Sequence, residues 1–282
     1  MIDKSKNLPE SVPNQITYAH GDYGDGNFLK QVIKDVDEII LLAHTTVPQT
    51  SYDDPVKDIL GNVPEAVNLF EIASSLGMKK VVFVSSGGTI YGKAKQLPIT
   101  EEHPTNPISP YGISKLTIEK YGLMYNELKG LPVVSVRPGN AYGEGQKPFS
   151  GQGFIATAIA RILKRQEVIL FGESGTIRDY IHVSDVAKGI CAALDRGNPG
   201  SNYNIGSGVG RSNSEVLSAI MPHAVSAGLK VKIQVLPDRR FDVPANVLDS
   251  AKMKKDTGWM SLVSFEEGIQ KTWNWFFKQS YK

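Results

Sequence analysis

Lys80-Val81-Val82-Phe83-Val84-Ser85-Ser86-Gly87-Gly88-Thr89-Ile90-Tyr91-Gly92 decides the fold class. Its apolar run does not alternate, so it reads as a strand buried on both faces. It ends in two hydroxyls and two glycines. Upstream, Asp37-Glu38-Ile39-Ile40-Leu41-Leu42-Ala43 reads as a second buried strand, and downstream Pro132-Val133-Val134-Ser135-Val136-Arg137 reads as a third. Helical periodicity over 63–76 and 111–129 separates them. Buried strands alternating with helices predict an α/β protein with a doubly wound parallel sheet. In such sheets ligands lie at the carboxyl ends of the strands, where Ser85-Ser86 and Pro138-Gly139-Asn140 stand. From Gly145 to Gly153 the texture turns loop-like, which predicts one domain over 1–145. A smaller mixed lobe over 146–282 is expected, with some segments returning to the first domain.

Composition sets wider limits. The chain has 282 residues, 41% hydrophobic and 21% charged, with a formal net charge of +2. A balance so near neutral implies neither nucleic acid nor a membrane surface as partner. The one cysteine, Cys191, allows no internal disulfide, and its apolar helical context predicts packing. No apolar run reaches membrane-spanning length, and Met1 to Lys6 lacks the apolar core of a signal peptide. The cytoplasm is the expected compartment. His20, His103 and His223 lack metal-ligand spacing, so no metal site is expected.

Tyr111-Gly112-Ile113-Ser114-Lys115 carries the chemistry. On a helix it puts a phenol and an ammonium on one face, a turn apart. A neighbouring cation favours the phenolate, so Tyr111 is expected to have a lowered pKa and to act as a general base on a hydroxyl. Pro110 suits a first helical turn.

Together, the strand-end hydroxyls and this pair resemble the extended short-chain dehydrogenase/reductase family, in particular its NAD-dependent epimerases and dehydratases. The resemblance implies a Rossmann-like fold, bound NAD, a UDP-sugar substrate, a homodimer, and 4-epimerisation through a 4-keto sugar. It implies that Tyr111 is the base and that Lys115 holds the cofactor ribose and the phenolate. The family's third strand-end serine is here Gly87, so Thr89 or Ser86 is the substitute hydroxyl. The family's dehydratases carry an Asp–Glu pair where this chain has Gly88-Thr89, which favours epimerisation. Leu42-Ala43-His44 resembles the turn under the cofactor. Asn62 matches an asparagine facing it, although a helix N-cap is the plainer role. Arg137-Pro138-Gly139-Asn140-Ala141-Tyr142-Gly143 implies Pro138 near the nicotinamide and Asn140 on the sugar or diphosphate. In Arg178-Asp179-Tyr180-Ile181-His182-Val183-Ser184-Asp185, Arg178 would grip the diphosphate. Asp185 could simply start a helix. In Arg239-Arg240-Phe241-Asp242, Arg239 would add a second diphosphate contact and Asp242 would hold the uridine ribose.

One part of the pattern is missing. The family opens with a strand and a Gly-x-x-Gly-x-x-Gly turn whose helix N-terminus receives the pyrophosphate. Gly21, Gly24 and Gly26 are too closely spaced for that turn. Gly21-Asp22-Tyr23-Gly24-Asp25 instead resembles the adenine-contacting segment that lies further on, which brings in Asp22 and Tyr23. Asp3 then falls at the acid for the adenosine ribose, a residue that ordinarily follows the glycine turn by about 20 residues. The expectation is therefore that the first β-α unit is absent from this chain. Either a longer protein or a naturally short one would account for that.

Overall fold

The protein is described from a computed structural model, which covers residues 1–3, 15–237 and 243–280. In chain order the elements are β1 (Ile2–Asp3), β2 (Ala19–His20), α1 (Gly26–Ile33), β3 (Glu38–Leu41), α2 (Pro55–Leu60), α3 (Val63–Ser75), β4 (Lys80–Val84) and α4 (Pro110–Lys129). There follow β5 (Val133–Pro138), β6 (Asn140–Tyr142), α5 (Phe154–Leu163), β7 (Val168–Phe171), β8 (Ile177–His182), α6 (Val183–Arg196) and β9 (Asn202–Ile205). The rest are β10 (Gly210–Ser212), α7 (Asn213–Ser226), β11 (Ile233–Leu236), β12 (Ala245–Asn246), α8 (Ala251–Thr257) and α9 (Phe265–Gln279).

The central sheet runs β3-β4-β5-β9, with every pairing parallel. Alternate residues of β4 serve opposite cores, as the pleat requires. Val81 and Phe83 pack with Leu69 and Phe70 of α3 and Ile118 of α4. Val82 packs on the other face with Val186 and Ile190 of α6, Met253 and Trp259. Both faces are covered by helices, which is the Rossmann-like α/β arrangement. The unbroken apolar character of the strand follows from that double burial.

β1 and β2 pair in parallel as a separate two-stranded sheet. Among the described residues no ladder joins them to β3. They are attached through α1, whose Leu29 and Ile33 share a core with α3. Gly21 and Gly24 are close-approach positions: a Cβ would strike the Phe28 ring at the first and the Glu65 side chain at the second. A second cluster of strands, β10-β8-β12 with β6 paired to β8, flanks the carboxyl ends of the central sheet, and β7 pairs with β11. α5, α7 and α9 build a third core around Ile155, Ile159, Ile220 and Trp273.

Cys191 corrects the sequence reading. It lies on α6 but is exposed, because Ile190, Ala192 and Ala193 take the buried face. Trp259 is buried, and its indole donates to the Asp185 carbonyl at 3.1 Å. Among the described residues no helix is long and apolar enough to cross a membrane.

Candidate active site

α4 places the two residues that anchor the site. Ser109 caps it by accepting from Gly112 N at 3.1 Å, Pro110 occupies the first turn, and Gly130 closes it at φ +67°. Tyr111 therefore sits at the helix start, beside the end of β4. The Ser86 hydroxyl neighbours the Tyr111 phenol and acts to lower its pKa. Lys115, one turn along, is 2% exposed; its Nζ donates to the Val84 carbonyl at 2.8 Å and stands 5.7 Å from the Tyr111 ring centroid.

The acidities differ from expectation. Burial pushes Tyr111 up to about 12, with the Asp58 charge adding to the rise and the Ser86 hydroxyl opposing it. Lys115 does not lower it. The reason is that burial acts on both partners: it drives Lys115 down to about 7, against the opposing pull of Glu119 and Asp58. His44 follows the same rule. Burial first, then the Lys115 charge, pushes it down to about 3, so its ring is neutral. It meets the Tyr111 ring edge-on, with centroids 4.7 Å apart.

The strand-end loop shows why Gly87 cannot carry a side chain. A Cβ there would lie 2.5 Å from Leu248 Cδ1 and 2.7 Å from the Arg137 carbonyl. The hydroxyl that acts with Tyr111 must then come from a neighbour, and Ser86 is the one whose influence reaches the phenol. Thr89 Oγ1 and Ser85 Oγ are buried without a hydrogen-bond partner, as are both ring nitrogens of His44. Unsatisfied buried polar atoms around a phenol–lysine pair suit a polar ligand.

Leu42 and Ala43 are exposed beyond the end of β3. Asn62 stands at the N-cap position of α3 without capping it. Its amide instead grips Thr45, accepting from the backbone N at 2.8 Å and donating to Oγ1 at 2.9 Å, which fixes the turn that carries His44. Pro138 ends β5, and its carbonyl accepts from Gly87 N at 2.9 Å. Asn140 opens β6, with Oδ1 3.3 Å from where a Gly88 Cβ would be. Arg178 lies on β8, half-buried, and donates from Nη1 to the Ile177 and Val243 carbonyls. Asp3 ends β1 opposite His20, Gly21 N donates to the Asp3 carbonyl at 3.1 Å, and Asp22 and Tyr23 follow in the turn after β2. Arg239 and Asp242 lie outside the described residues.

Sequence reasoning missed three buried acids. Asp58 is fully buried on α2 and accepts from Thr46 Oγ1 and Ser114 Oγ. Glu119 pairs with Arg137 at 3.0 and 2.7 Å, and Arg137 also donates to the Tyr91 phenol at 2.8 Å. Asp179 accepts from Ser207 N and Oγ, Gly208 N and Leu248 N. Glu119 was findable, since it falls on the Tyr111–Lys115 face at the next i+4 step. Asp58 and Asp179 carried no such periodic mark.

Residues 2–206 match the NAD dependent epimerase/dehydratase family. The chain belongs to that family. A UDP-glucose 4-epimerase of Mycolicibacterium smegmatis is 34% identical over 242 residues, spanning 86% of this chain and 76% of that one. Among solved structures, a UDP-glucose 4-epimerase of Thermotoga maritima with UDP-glucose has a TM-score of 0.93 at 29% identity, covering 99% of this chain and 90% of that one. The Thermus thermophilus UDP-glucose 4-epimerase in complex with NAD has a TM-score of 0.89 at 33% identity, covering 98% and 90%. NAD is the family's cofactor. The nicotinamide end has suitable residues in this chain: Tyr111, Lys115, the His44 turn and the unsatisfied hydroxyls. For the pyrophosphate, the described residues hold no Gly-x-x-Gly-x-x-Gly turn; Gly21, Gly24 and Gly26, which lead into α1, are more closely spaced.

Proposed function

We propose that this NAD-dependent family member interconverts C4 epimers of a UDP-hexose, by way of a 4-keto sugar. The observation that carries the reading is the Tyr111 phenol at the start of α4, beside the end of β4, with buried Lys115 one helical turn away and its Nζ 5.7 Å from the phenol ring centroid. When bound, NAD would supply a hydride acceptor that becomes the donor in the return step, and a positive charge in its oxidised form.

Tyr111 Oη takes the O4 proton as the C4 hydride leaves and returns it when hydride comes back to the other face. A resting phenol pushed up to about 12 must first be acidified. A cation bound beside the ring would act in that direction. Ser86, or Thr89 with its unpartnered hydroxyl, holds O4 in line. Asn140 contacts the sugar or diphosphate and Arg178 the diphosphate; sequence alone assigns Arg239 and Asp242 to the diphosphate and the uridine ribose. Asp3, Asp22 and Tyr23 serve the adenosine end, and Leu42, Ala43, His44, Asn62 and Pro138 line the nicotinamide end.

A homodimer belongs to the same reading. Ile113, Tyr121, Met124 and Leu128 are exposed along one stripe of α4, and α2, which packs on α4, adds exposed Val56, Ile59 and Leu60. An apolar helix face of this kind fits a second copy of itself across a two-fold axis.

The test of function is incubation with UDP-glucose and added NAD. UDP-galactose should appear with no net change in NADH absorbance. A stoichiometric rise in NADH with turnover would indicate net oxidation of the sugar by an oxidoreductase instead.

A further inference from the structure

Two carboxylates act on Lys115, and the fold treats them differently. Glu119 is matched inside the protein by the two-pronged Arg137 contact. Asp58 is equally enclosed, but the donors on its oxygens are hydroxyls, from Thr46 and Ser114. His44 Nε2 lies 3.7 Å from Asp58, yet that ring is neutral and does not match the carboxylate's charge. Lys115 in turn has a carbonyl at 2.8 Å and the Phe83 ring at 5.0 Å. A buried ammonium with only such neighbours is costly unless an uncommitted negative charge is near.

We propose that Asp58 is the charge partner and positioning residue of Lys115. It holds the ammonium in its charged form within the interior and, through Ser114, fixes the rotation of α4 that presents Tyr111 and Lys115. The geometry suits both roles. Ser114 sits on α4 between those two residues, Thr46 belongs to the turn that carries His44, and Asn62, one turn after Asp58, clasps Thr45 of that turn. The groups facing Lys115 are Tyr111 and Glu119 from α4, Asp58 from α2, His44 from the turn after β3, and the Phe83 ring and Val84 carbonyl from β4. Glu71 of α3 is occupied further along α4 by the Tyr125 phenol at 2.9 Å.

The sign of the pH dependence follows. Burial lowers Lys115 from 10.5 to about 7, so between those values the unfolded chain binds a proton that the folded chain lacks. Stability therefore rises with pH across that window, and the cost of the buried charge is full below it. Removing the Asp58 charge lowers Lys115 further, so the loss shows at the acid end, where Lys115 is protonated.

The experiment is a double-mutant cycle by urea unfolding: Asp58→Asn, Lys115→Met and both together, at about pH 6 and about pH 9. At the lower pH, Asp58→Asn should reduce the folding constant at least ~10-fold more with Lys115 present than in the Lys115→Met background. At the higher pH that difference should vanish. A coupling equal at both pH values, or absent at both, overturns the charge assignment. Should Asp58→Asn alone fail to fold at the lower pH, recovery of folding in the double variant supports the proposal, and failure of both overturns it. The positioning half rests on the epimerase reading. Ser114→Ala keeps Asp58 and should lower kcat roughly 10-fold with KM and the pH profile unchanged; an unchanged kcat would refute it. Inactivity of the unaltered protein would sink the epimerase reading and leave the unfolding cycle to decide the charge role.

Discussion

Tyr111 rests as a neutral phenol. The same burial that raises it to about 12 also lowers Lys115 to about 7, so both groups favour their neutral forms and the phenolate–ammonium pair is harder to form than between free tyrosine and lysine. Tyr111→Phe keeps the ring that packs on His44 and removes only the proton carrier. We expect turnover of the UDP-sugar to fall about 10²–10⁴-fold with the unfolding midpoint nearly unchanged; near-normal turnover would remove Tyr111 from the chemistry. The residue types of the site were legible because a phenol and an ammonium at i and i+4 share a face. Their acidities were not, since a pKa depends on burial from all sides. Asp58 was hidden for a related reason: in Asp53-Asp54-Pro55-Val56-Lys57-Asp58 it reads like the solvated acids beside it.

α4 carries polar residues on its buried face and apolar ones on its exposed face, beside the buried Ile118 and Tyr125. Ser114, Lys115 and Glu119 face the core, while Ile113, Tyr121, Met124 and Leu128 face outward. The polar side is tolerated because each group has a partner, and Glu119–Arg137 is the strongest of these. Glu119→Ala leaves a buried guanidinium unmatched and should cost about 3–5 kcal/mol, measured by urea unfolding. A cost below about 1 kcal/mol, the range of exposed pairs, would mean that the pair is solvated. The strands and helices around this element were readable within a residue or two, because double burial writes an unbroken apolar run and helix ends carry Pro110 and Gly130. The pairing of β6, β8, β10 and β12 was not readable. Those strands are short, and partners distant in the chain define them.

At the scale of the whole molecule, two surfaces stay open among the described residues. One is the apolar stripe of α2 and α4. Sedimentation equilibrium should show a dimer, and Met124→Glu with Leu128→Glu should shift it to monomer; a monomeric unaltered protein would contradict the self-association. The other is the interval between β1 and β3, which no ladder bridges. The glycines there, Gly21, Gly24 and Gly26 leading into α1, lack the Gly-x-x-Gly-x-x-Gly spacing that lets a helix N-terminus approach a pyrophosphate.

The reaction itself is tested most directly with UDP-glucose deuterated at C4, given to the protein with added NAD. If hydride leaves C4 and returns to the opposite face within one site, the UDP-galactose formed will keep its deuterium at C4, and Tyr111→Phe will slow its appearance without changing the label. UDP-galactose carrying solvent hydrogen at C4, or no C4 inversion at all, would contradict the account.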